Sequence, residues 1–224
     1  MDRSRERGIA LIIVLLAMAL MSALGVALVL ATVAETHISA GFRRSHEALY
    51  AAEAGATRAI DDMRAVADWS TLPSGTVLSS FVDGAAGGPR RLDDGTVLDL
   101  TQAMNLANCQ KSASCSVGDM NAVTDDRPWG ANNPRWRLFA YGPLRAMLPS
   151  GAIRSPYYVI VMIGDDPGEI DDDPTIDGSP PNPGAGVIAL RAEASGPGGA
   201  HRVVELTIAR VGPAVRMLSW RELR

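Results

Sequence analysis

An apolar run without one charged side chain extends from Ile9 to Ala34 and constrains the fold more than any other feature. As a helix, about 26 residues at 1.5 Å each span roughly 39 Å, against a bilayer hydrocarbon thickness of about 30 Å. The run is also longer than the apolar core of a secretory signal peptide, which has about 7–15 residues. Because Arg3, Arg5 and Arg7 precede the run, the positive-inside rule places the N-terminus in the cytoplasm. The sequence therefore predicts a membrane anchor followed by an exported domain.

Beyond Glu35 the helical pattern continues, but its apolar residues now occupy one side. They recur mostly three, four or seven positions apart, as on one stripe of a helix: Ile38, Phe42, Leu49, Ala52, Ala56, Ile60 and Met63. Trp69 and the turn-forming cluster at 70–75 end this pattern. We therefore predict a transmembrane helix at 9–34, its amphipathic continuation at 35–68 and a globular domain at 69–224.

The globular domain carries β-strand patterns in its C-terminal half. Alternating or β-branched runs predict four strands, at Arg135–Tyr141, Tyr157–Ile163, Val187–Ala194 and His201–Arg210. The Gly/Pro-rich segment 195–200 predicts a hairpin between the last two, and Asp93-Asp94-Gly95 predicts a short hairpin turn. The rest of 76–134 has no clear period. The fold class is α+β, with the long helix packed on an antiparallel sheet of about four strands.

Charge and cysteine content narrow the function. A formal net charge of −4 argues against a nucleic-acid binder, which should present a basic face. Cys109 and Cys115 are separated by five residues and lie in the exported part, which predicts a disulfide; a pair of free thiols is the alternative. No second Cys or His pair suits zinc, and neither a Gly-x-Ser-x-Gly turn nor a phosphate-binding glycine loop occurs. The sequence predicts no enzyme.

Carboxylates are densest between residues 165 and 178, in a segment rich in Gly and Pro after a predicted strand. Calcium prefers such oxygen-rich surroundings. Asp171, Asp173 and Asp177 are candidates to converge on an ion, with Asp165 or Glu169 completing the shell. The spacing does not reproduce an EF-hand loop, and a solvated acidic surface loop is the alternative. Calcium is the one cofactor that we consider.

The N-terminal residues resemble the type IV pilin and pseudopilin family. Arg7-Gly8 followed by Ile9 and an apolar run looks like the class III leader at 1–8, which a prepilin peptidase removes. The resemblance implies cleavage between Gly8 and Ile9 and methylation of Ile9. Further on, Ala51-Ala52-Glu53-Ala54-Gly55 is similar to a segment common in PilX-type minor pilins and related pseudopilins.

One position departs from the major pilins, most of which have a glutamate at the fifth mature residue. This chain has Ile13 there. In this respect it resembles the minor pilins and tip pseudopilins that also lack the glutamate. In the family, that glutamate is thought to pair with the N-terminal amine of a neighbouring subunit, and a buried charge pair can specify register. The resemblance therefore implies a minor, tip-associated subunit whose filament-core helix includes Ile9, Ile13, Ala17 and Gly25. Small residues there allow close helix packing.

The resemblance also implies partners and a location. The partners are other minor and major pilins, the prepilin peptidase and the inner-membrane assembly platform, with a tip adhesin as a further candidate. The chain starts in the bacterial inner membrane, with a periplasmic domain, and moves to the pilus. Three alternatives stay open: a minor pseudopilin of type II secretion, a pilus-borne adhesion module, and a single-pass membrane protein that joins no filament.

Overall fold

The computed structural model describes residues 3–125, 133–148, 154–169, 172–178 and 186–223. The chain divides into two compact units, Met1–Arg43 and Arg44–Arg224, which are treated separately below. One helix, α1 (Arg3–Met63), has residues in both. The predicted α+β fold, with a long apolar N-terminal helix and an antiparallel sheet, is confirmed.

The N-terminal unit consists of the apolar part of α1. Among the described residues, one helix is long and apolar enough to cross a membrane; the span is Ile9–Met63, with a mean hydropathy of 2.8 in its most apolar window. The large side chains from Ile9 to Val33 are all exposed. A helix that is apolar on every side needs lipid or other helices around it, because no face is suited to water.

The C-terminal unit is built on a five-stranded antiparallel sheet in which neighbours in sequence are neighbours in space. Its strands are β3 (Arg137–Pro143), β4 (Tyr158–Asp165), β5 (Val187–Gly196), β6 (Ala200–Val211) and β7 (Ala214–Leu223). The first four correspond to the predicted strands. The fifth, β7, was not predicted, so the estimate of about four strands was one too low. Every residue of β4 is buried, as predicted for a central strand covered on both faces.

The segment that showed no period contains a small ribbon and two helices. The ribbon consists of β1 (Pro89–Arg91) and β2 (Val97–Asp99), which pair around the predicted turn at Asp93-Asp94-Gly95. Helices α2 (Leu100–Cys109) and α3 (Val117–Asp125) follow, and the short α4 (Leu144–Met147) comes after β3. The Asp99 carboxylate caps α2 by accepting hydrogen bonds from the backbone N–H groups of Thr101 and Gln102, at 2.8 and 3.0 Å.

Each face of the sheet has its own apolar core. On one face the C-terminal part of α1 packs against alternate residues of β4, β5 and β6, among them Val159, Leu190 and Ile208. On the other face α2 packs with Trp136, Met162 and other buried side chains. The sheet therefore forms the middle layer of the domain, as expected when strands are buried on both sides.

The buried side of α1 consists mostly of alanines and ends with Met63. Ala52, Ala56 and Met63 of the predicted stripe are fully buried, whereas Ile38 and Phe42 lie in the N-terminal unit and are exposed. Ile38 and Phe42 do not contribute to the core, because burial of α1 begins only at Ala48 and not where the amphipathic pattern begins. The helix ends at Met63, whose carbonyl accepts a hydrogen bond from the buried Trp69 indole at 3.0 Å.

Candidate functional site

The predicted processing site and filament-core residues all lie within α1. The Gly8–Ile9 bond is inside the helix, which begins at Arg3. Ile9 and Ile13 are exposed, and a methyl group placed on Gly25 would meet no atom within 4 Å. Ile9, Ile13 and Ala17 follow one another at a spacing of four and so share one side of the helix. This part of α1 presents an open apolar surface to its surroundings.

The Ala51–Gly55 segment has a packing role that its sequence does not reveal. Ala51 and Ala52 are buried against the sheet, and a methyl group on Gly55 would lie 2.3 Å from Cγ1 of Val159. Ordinary carbon–carbon contacts lie at about 3.5–4.0 Å. Gly55 is therefore the point at which α1 approaches β4 so closely that no side chain fits.

Polar contacts hold the same part of α1 at the ends of the strands. The Tyr157 hydroxyl donates to the carbonyl oxygen of Arg44 at 2.9 Å. Arg202 of β6 donates through Nε to the hydroxyl of Ser45, also at 2.9 Å. These hydrogen bonds come from two strand regions and prevent the helix from sliding along its axis. Apolar packing alone does not prevent such sliding, because it is not directional.

The predicted disulfide is confirmed. Cys109 and Cys115 are bonded, with their Cα atoms 5.8 Å apart. The bond joins the last residue of α2 to the segment that leads into α3. It closes a small loop on the face of the sheet opposite α1.

Three of the predicted calcium ligands come together. Asp165 ends β4, Glu169 follows the next turn, and Asp177 precedes β5; their carboxylate oxygens lie within 4.8 Å of one another. All three residues are buried, with exposed fractions of 0, 2 and 4 %. We call this group the carboxylate cluster. It brings the end of β4 together with two positions in the described parts of the segment between β4 and β5.

Among the described residues, Asp173 is not part of the cluster. Asp173 is half-buried, and its carboxylate caps a local turn by accepting from the backbone N–H and the hydroxyl of Thr175, at 3.0 and 2.6 Å. Asp173 is thus held in its own turn and is not grouped with the other three carboxylates. Asp171 lies outside the described residues. Of the three neighbouring aspartates that the spacing suggested, Asp177 is the one that the described residues place in the cluster.

The electrostatics of the cluster follow from burial. Burial raises the pKa of Asp177 to about 6; the backbone N–H of Gly186 opposes this rise, and the charge of Glu169 adds to it. Both oxygens of Asp177 accept from that N–H, at 2.8 and 3.0 Å. Burial also raises the pKa of the neighbouring Asp166. Negative charges so close together in a site shielded from water favour a bound cation or a bound proton.

The donor set suits a hard cation. The cluster offers only carboxylate oxygens, which calcium and magnesium prefer, and no sulfur or imidazole ligand that would favour zinc. Three carboxylates can supply three to six oxygens, depending on whether each binds through one oxygen or two. Calcium takes about six to eight oxygens, so backbone carbonyls or water would complete its shell.

A charge network that the sequence did not predict lies on the sheet face opposite α1. Arg191 of β5 donates to Glu193 at 2.6 Å and to Glu205 of β6 at 2.9 Å. Arg221 of β7 donates to the same Glu205 through Nε at 2.9 Å. Burial raises the pKa of Glu193, but hydrogen bonds and charges from His201 and Arg191 outweigh it, so the pKa is lowered. The alternation of β5 and β6 placed these residues on one face, but their pairing depends on strand register.

Comparison with known proteins gives one match. A membrane-length apolar helix that continues into an α+β domain is the architecture expected of a pilin-like subunit. The PilX N-terminal family model matches residues 7–57, which contain the Gly8–Ile9 junction and the Ala51–Gly55 segment. Over this segment the chain is similar to PilX-type pilins, so the resemblance found in the sequence is confirmed. No curated protein and no solved structure matches the chain significantly.

The matched family indicates the general class of protein that this segment resembles. PilX-type pilins are structural components of a pilus and not a known enzyme family. Such a component is anchored in the membrane by its apolar helix and contacts other pilins in a pilus.

Proposed function

We propose that the chain is a minor pilin that acts in the assembly, initiation or tip of a type IV pilus. The observation that carries this proposal is the PilX N-terminal match at residues 7–57, which coincides with an exposed apolar helix and continues into the part of α1 that packs on the sheet. The first half of that segment suits lipid and then neighbouring helices. The second half attaches the helix to the exported domain.

The proposed route begins with cleavage between Gly8 and Ile9 and methylation of Ile9. The mature helix stays in the inner membrane with its domain in the periplasm, until the assembly platform moves it into the filament. There the apolar surfaces of neighbouring helices replace lipid. Small residues such as Ala17 and Gly25 allow close approach between the helices.

Ile13 supports a minor rather than a major role. A subunit that adds repeatedly to itself needs both partners of any charge pair that sets its register, whereas an initiating subunit needs only one. The expectation is that Ile13→Glu increases the share of the chain found along the filament shaft. An unchanged distribution in labelled, sheared pili would contradict this role of Ile13.

Processing and surface location provide the direct test. Mass spectrometry of the chain from cells with the prepilin peptidase should show loss of residues 1–8 and one added methyl group. Deletion of Gly8 or of the peptidase should abolish both changes and remove the chain from the sheared surface fraction. Gly41→Ala, at an exposed helical position, is the matched control. If the wild-type chain never leaves the membrane fraction, the filament proposal is wrong.

Two alternatives share the same N-terminal helix. In a minor pseudopilin of type II secretion, deletion of the gene would block export of a folded substrate and leave pili intact. In a pilus-borne adhesion module, deletion would leave pilus number unchanged and reduce attachment. A fall in pilus number after deletion is the result that supports an assembly role.

We further propose that the carboxylate cluster binds calcium. Three buried carboxylates within 4.8 Å favour this second proposal. At a calcium concentration about 100 times the dissociation constant, binding stabilises the fold by about 2.7 kcal/mol. Calcium should therefore raise the Tm of the wild-type chain and of Asp173→Asn, whose side chain lies outside the cluster, but not that of Asp165→Asn. A wild-type Tm that is unchanged in millimolar calcium would refute the site.

A further inference from the structure

A groove of about 700 Å³ lies beside the charge network, on the sheet face opposite α1. The end of α2 forms one side of it, the turn after β4 forms another, and β5, β6 and β7 form the rest. The volume is within the range of about 300–1,000 Å³ that is common for small-molecule sites. Its polar lining indicates which class of ligand it suits.

The turn after β4 supplies a buried carboxylate to the groove. Asp166 lines it and is only 6 % exposed. Its Oδ1 accepts a hydrogen bond from the backbone N–H of Gly168 at 3.1 Å, whereas no group in the described part of the chain donates to its Oδ2. A buried acceptor without a donor is costly. This oxygen therefore favours a ligand that donates a hydrogen bond.

The residue that ends α2 lines the groove in an unusual backbone conformation. Gln110 has a φ of 57°, where helix-ending residues are usually glycine and sometimes asparagine. Its backbone is held on both sides, because its N–H donates to the Leu106 carbonyl at 3.0 Å and the preceding Cys109 is in the disulfide. Within the described residues its side-chain amide has no hydrogen-bond partner. A strained residue with a free polar group is typical of a functional position.

Two hydroxyl groups line the groove from the last two strands. A bulge at Leu218 shifts the register of β7, and beyond it Ser219 pairs with Thr207. The Ser219 hydroxyl accepts from the Thr207 backbone N–H at 3.2 Å, which leaves its own O–H to donate. The Thr207 hydroxyl bonds to nothing among the described residues. This wall therefore offers both donors and acceptors.

The charges in the groove cancel one another. Its charged lining residues are Asp166, Arg191, Glu205 and Arg221, whose formal charges sum to zero. Glu205 accepts from Nη1 of Arg191 and from Nε of Arg221, both at 2.9 Å, so neither guanidinium offers an uncompensated charge to a ligand. An apolar ligand would displace water from these groups without replacing its hydrogen bonds. The groove therefore suits a neutral ligand with many hydrogen-bonding groups.

We propose that this groove binds a neutral oligosaccharide through its hydroxyl groups. A hydroxyl both donates and accepts, which matches a lining that combines a free carboxylate oxygen at Asp166, a free amide at Gln110 and hydroxyls at Thr207 and Ser219. The site goes beyond the proposed pilus role. It depends neither on entry into a filament nor on calcium at the carboxylate cluster.

The test measures binding of three neutral trisaccharides, maltotriose, cellotriose and tri-N-acetylchitotriose, to the full chain in micelles of a detergent without a sugar head group. Saturation-transfer NMR should show saturable binding of at least one of them at millimolar concentration. Trigalacturonate, which is anionic, and triglucosamine, which is cationic, should bind at least tenfold more weakly. The titrations are made both with calcium and with a chelator, so that failure of the calcium proposal does not decide the result.

Variants locate the ligand in the groove. Asp166→Asn should weaken binding at least tenfold, because an amide donor replaces a charged acceptor. Gln110→Gly and Thr207→Val should each weaken it at least threefold through loss of a neutral hydrogen bond. Asp173→Asn and Gln102→Ala are the matched controls outside the groove lining and should change binding less than twofold.

The Gln110→Gly variant separates binding from folding. Glycine adopts a positive φ without strain, so this variant should keep or raise the wild-type Tm while it loses affinity. The proposal is overturned if none of the three trisaccharides binds in either buffer, or if a charged trimer or a neutral glycine–serine peptide binds as tightly as they do. Equal losses for the groove variants and their controls would also overturn it.

Discussion

Replacement of Gly55 by alanine tests how closely α1 approaches the sheet. The added methyl group would lie 2.3 Å from Cγ1 of Val159 and 3.4 Å from its Cβ. The first distance is more than about 1 Å shorter than an ordinary carbon–carbon contact. Val159 cannot rotate away easily, because it is fully buried and a β-branched side chain is stiff about its first torsion. The helix or β4 must therefore move.

Two effects of opposite sign decide the magnitude. Alanine is a better helix former than glycine by about 1 kcal/mol, which stabilises the variant. Overpacking of a well-packed core costs about 1–3 kcal/mol, and an overlap of this size belongs in the upper part of that range. We expect Gly55→Ala to lower the free energy of unfolding by about 1–2 kcal/mol. For a domain of this size that corresponds to a fall in Tm of about 2–8 °C.

The assay is thermal unfolding of the full chain in detergent, followed by tryptophan fluorescence, since Trp69 and Trp136 are buried in the domain. Gly41→Ala is the control: a methyl group there meets no atom within 4 Å, so the domain Tm should not fall. In a double-mutant cycle, Val159→Ala should relieve the Gly55→Ala defect by at least about 1 kcal/mol. A higher Tm for Gly55→Ala, or strict additivity in the cycle, would refute the close-approach argument.

Three further predictions concern the disulfide, the carboxylate cluster and the charge network. Cys109→Ser should lower the free energy of unfolding by about 2–3 kcal/mol, while reducing agent should destabilise only the wild-type chain. In the absence of divalent cations, stability should fall as pH rises from about 4 to 6, because the pKa of Asp177 is higher in the folded state than in the unfolded state; Asp177→Asn should flatten this dependence in pH-dependent urea melts. Arg191→Met should cost about 2–4 kcal/mol in urea unfolding, because it leaves two neighbouring glutamates without their shared cation. Arg216→Met, at an exposed site, should cost less than about 0.5 kcal/mol, and equal losses for the two arginines would contradict the network.

The parts of the fold that could be predicted are those whose environment is regular along the element. The apolar run from Ile9 marks α1 because apolar side chains occupy every side of the helix there. Alternation marks β5 and β6 because one face of each is fully covered by the helix layer. In both cases the environment is regular along the element, and it therefore leaves a period in the sequence.

The missed strand has no such environment. β7 is an edge strand in which Arg216, Met217 and Leu218 are all exposed, so neither face imposes a period. The bulge at Leu218 then shifts whatever alternation remains. Its assignment depends on pairing with β6, which is a long-range property of the folded chain.

The members of the carboxylate cluster were also hard to predict from the sequence, because their proximity depends on the folded chain. Sequence proximity favoured Asp171, Asp173 and Asp177, but Asp165 and Glu169 are the residues that lie beside Asp177. Turn chemistry decides the difference: an aspartate two residues before a threonine can cap its own turn, as Asp173 does. Only the burial of the strand end brings the other carboxylates together.

Glycine within α1 shows why one residue type needs two explanations. Gly25 has open space around it, so in the proposed filament it would let a second helix approach closely. Gly55 faces Val159 inside the domain. The requirement for glycine at this position therefore comes from the domain itself and would persist in an isolated subunit. The PilX N-terminal match spans both positions. Under the proposed filament role, Gly25 would belong to an interface between subunits, whereas Gly55 belongs to the contact between helix and sheet. Substitutions at the two glycines should then separate assembly from folding.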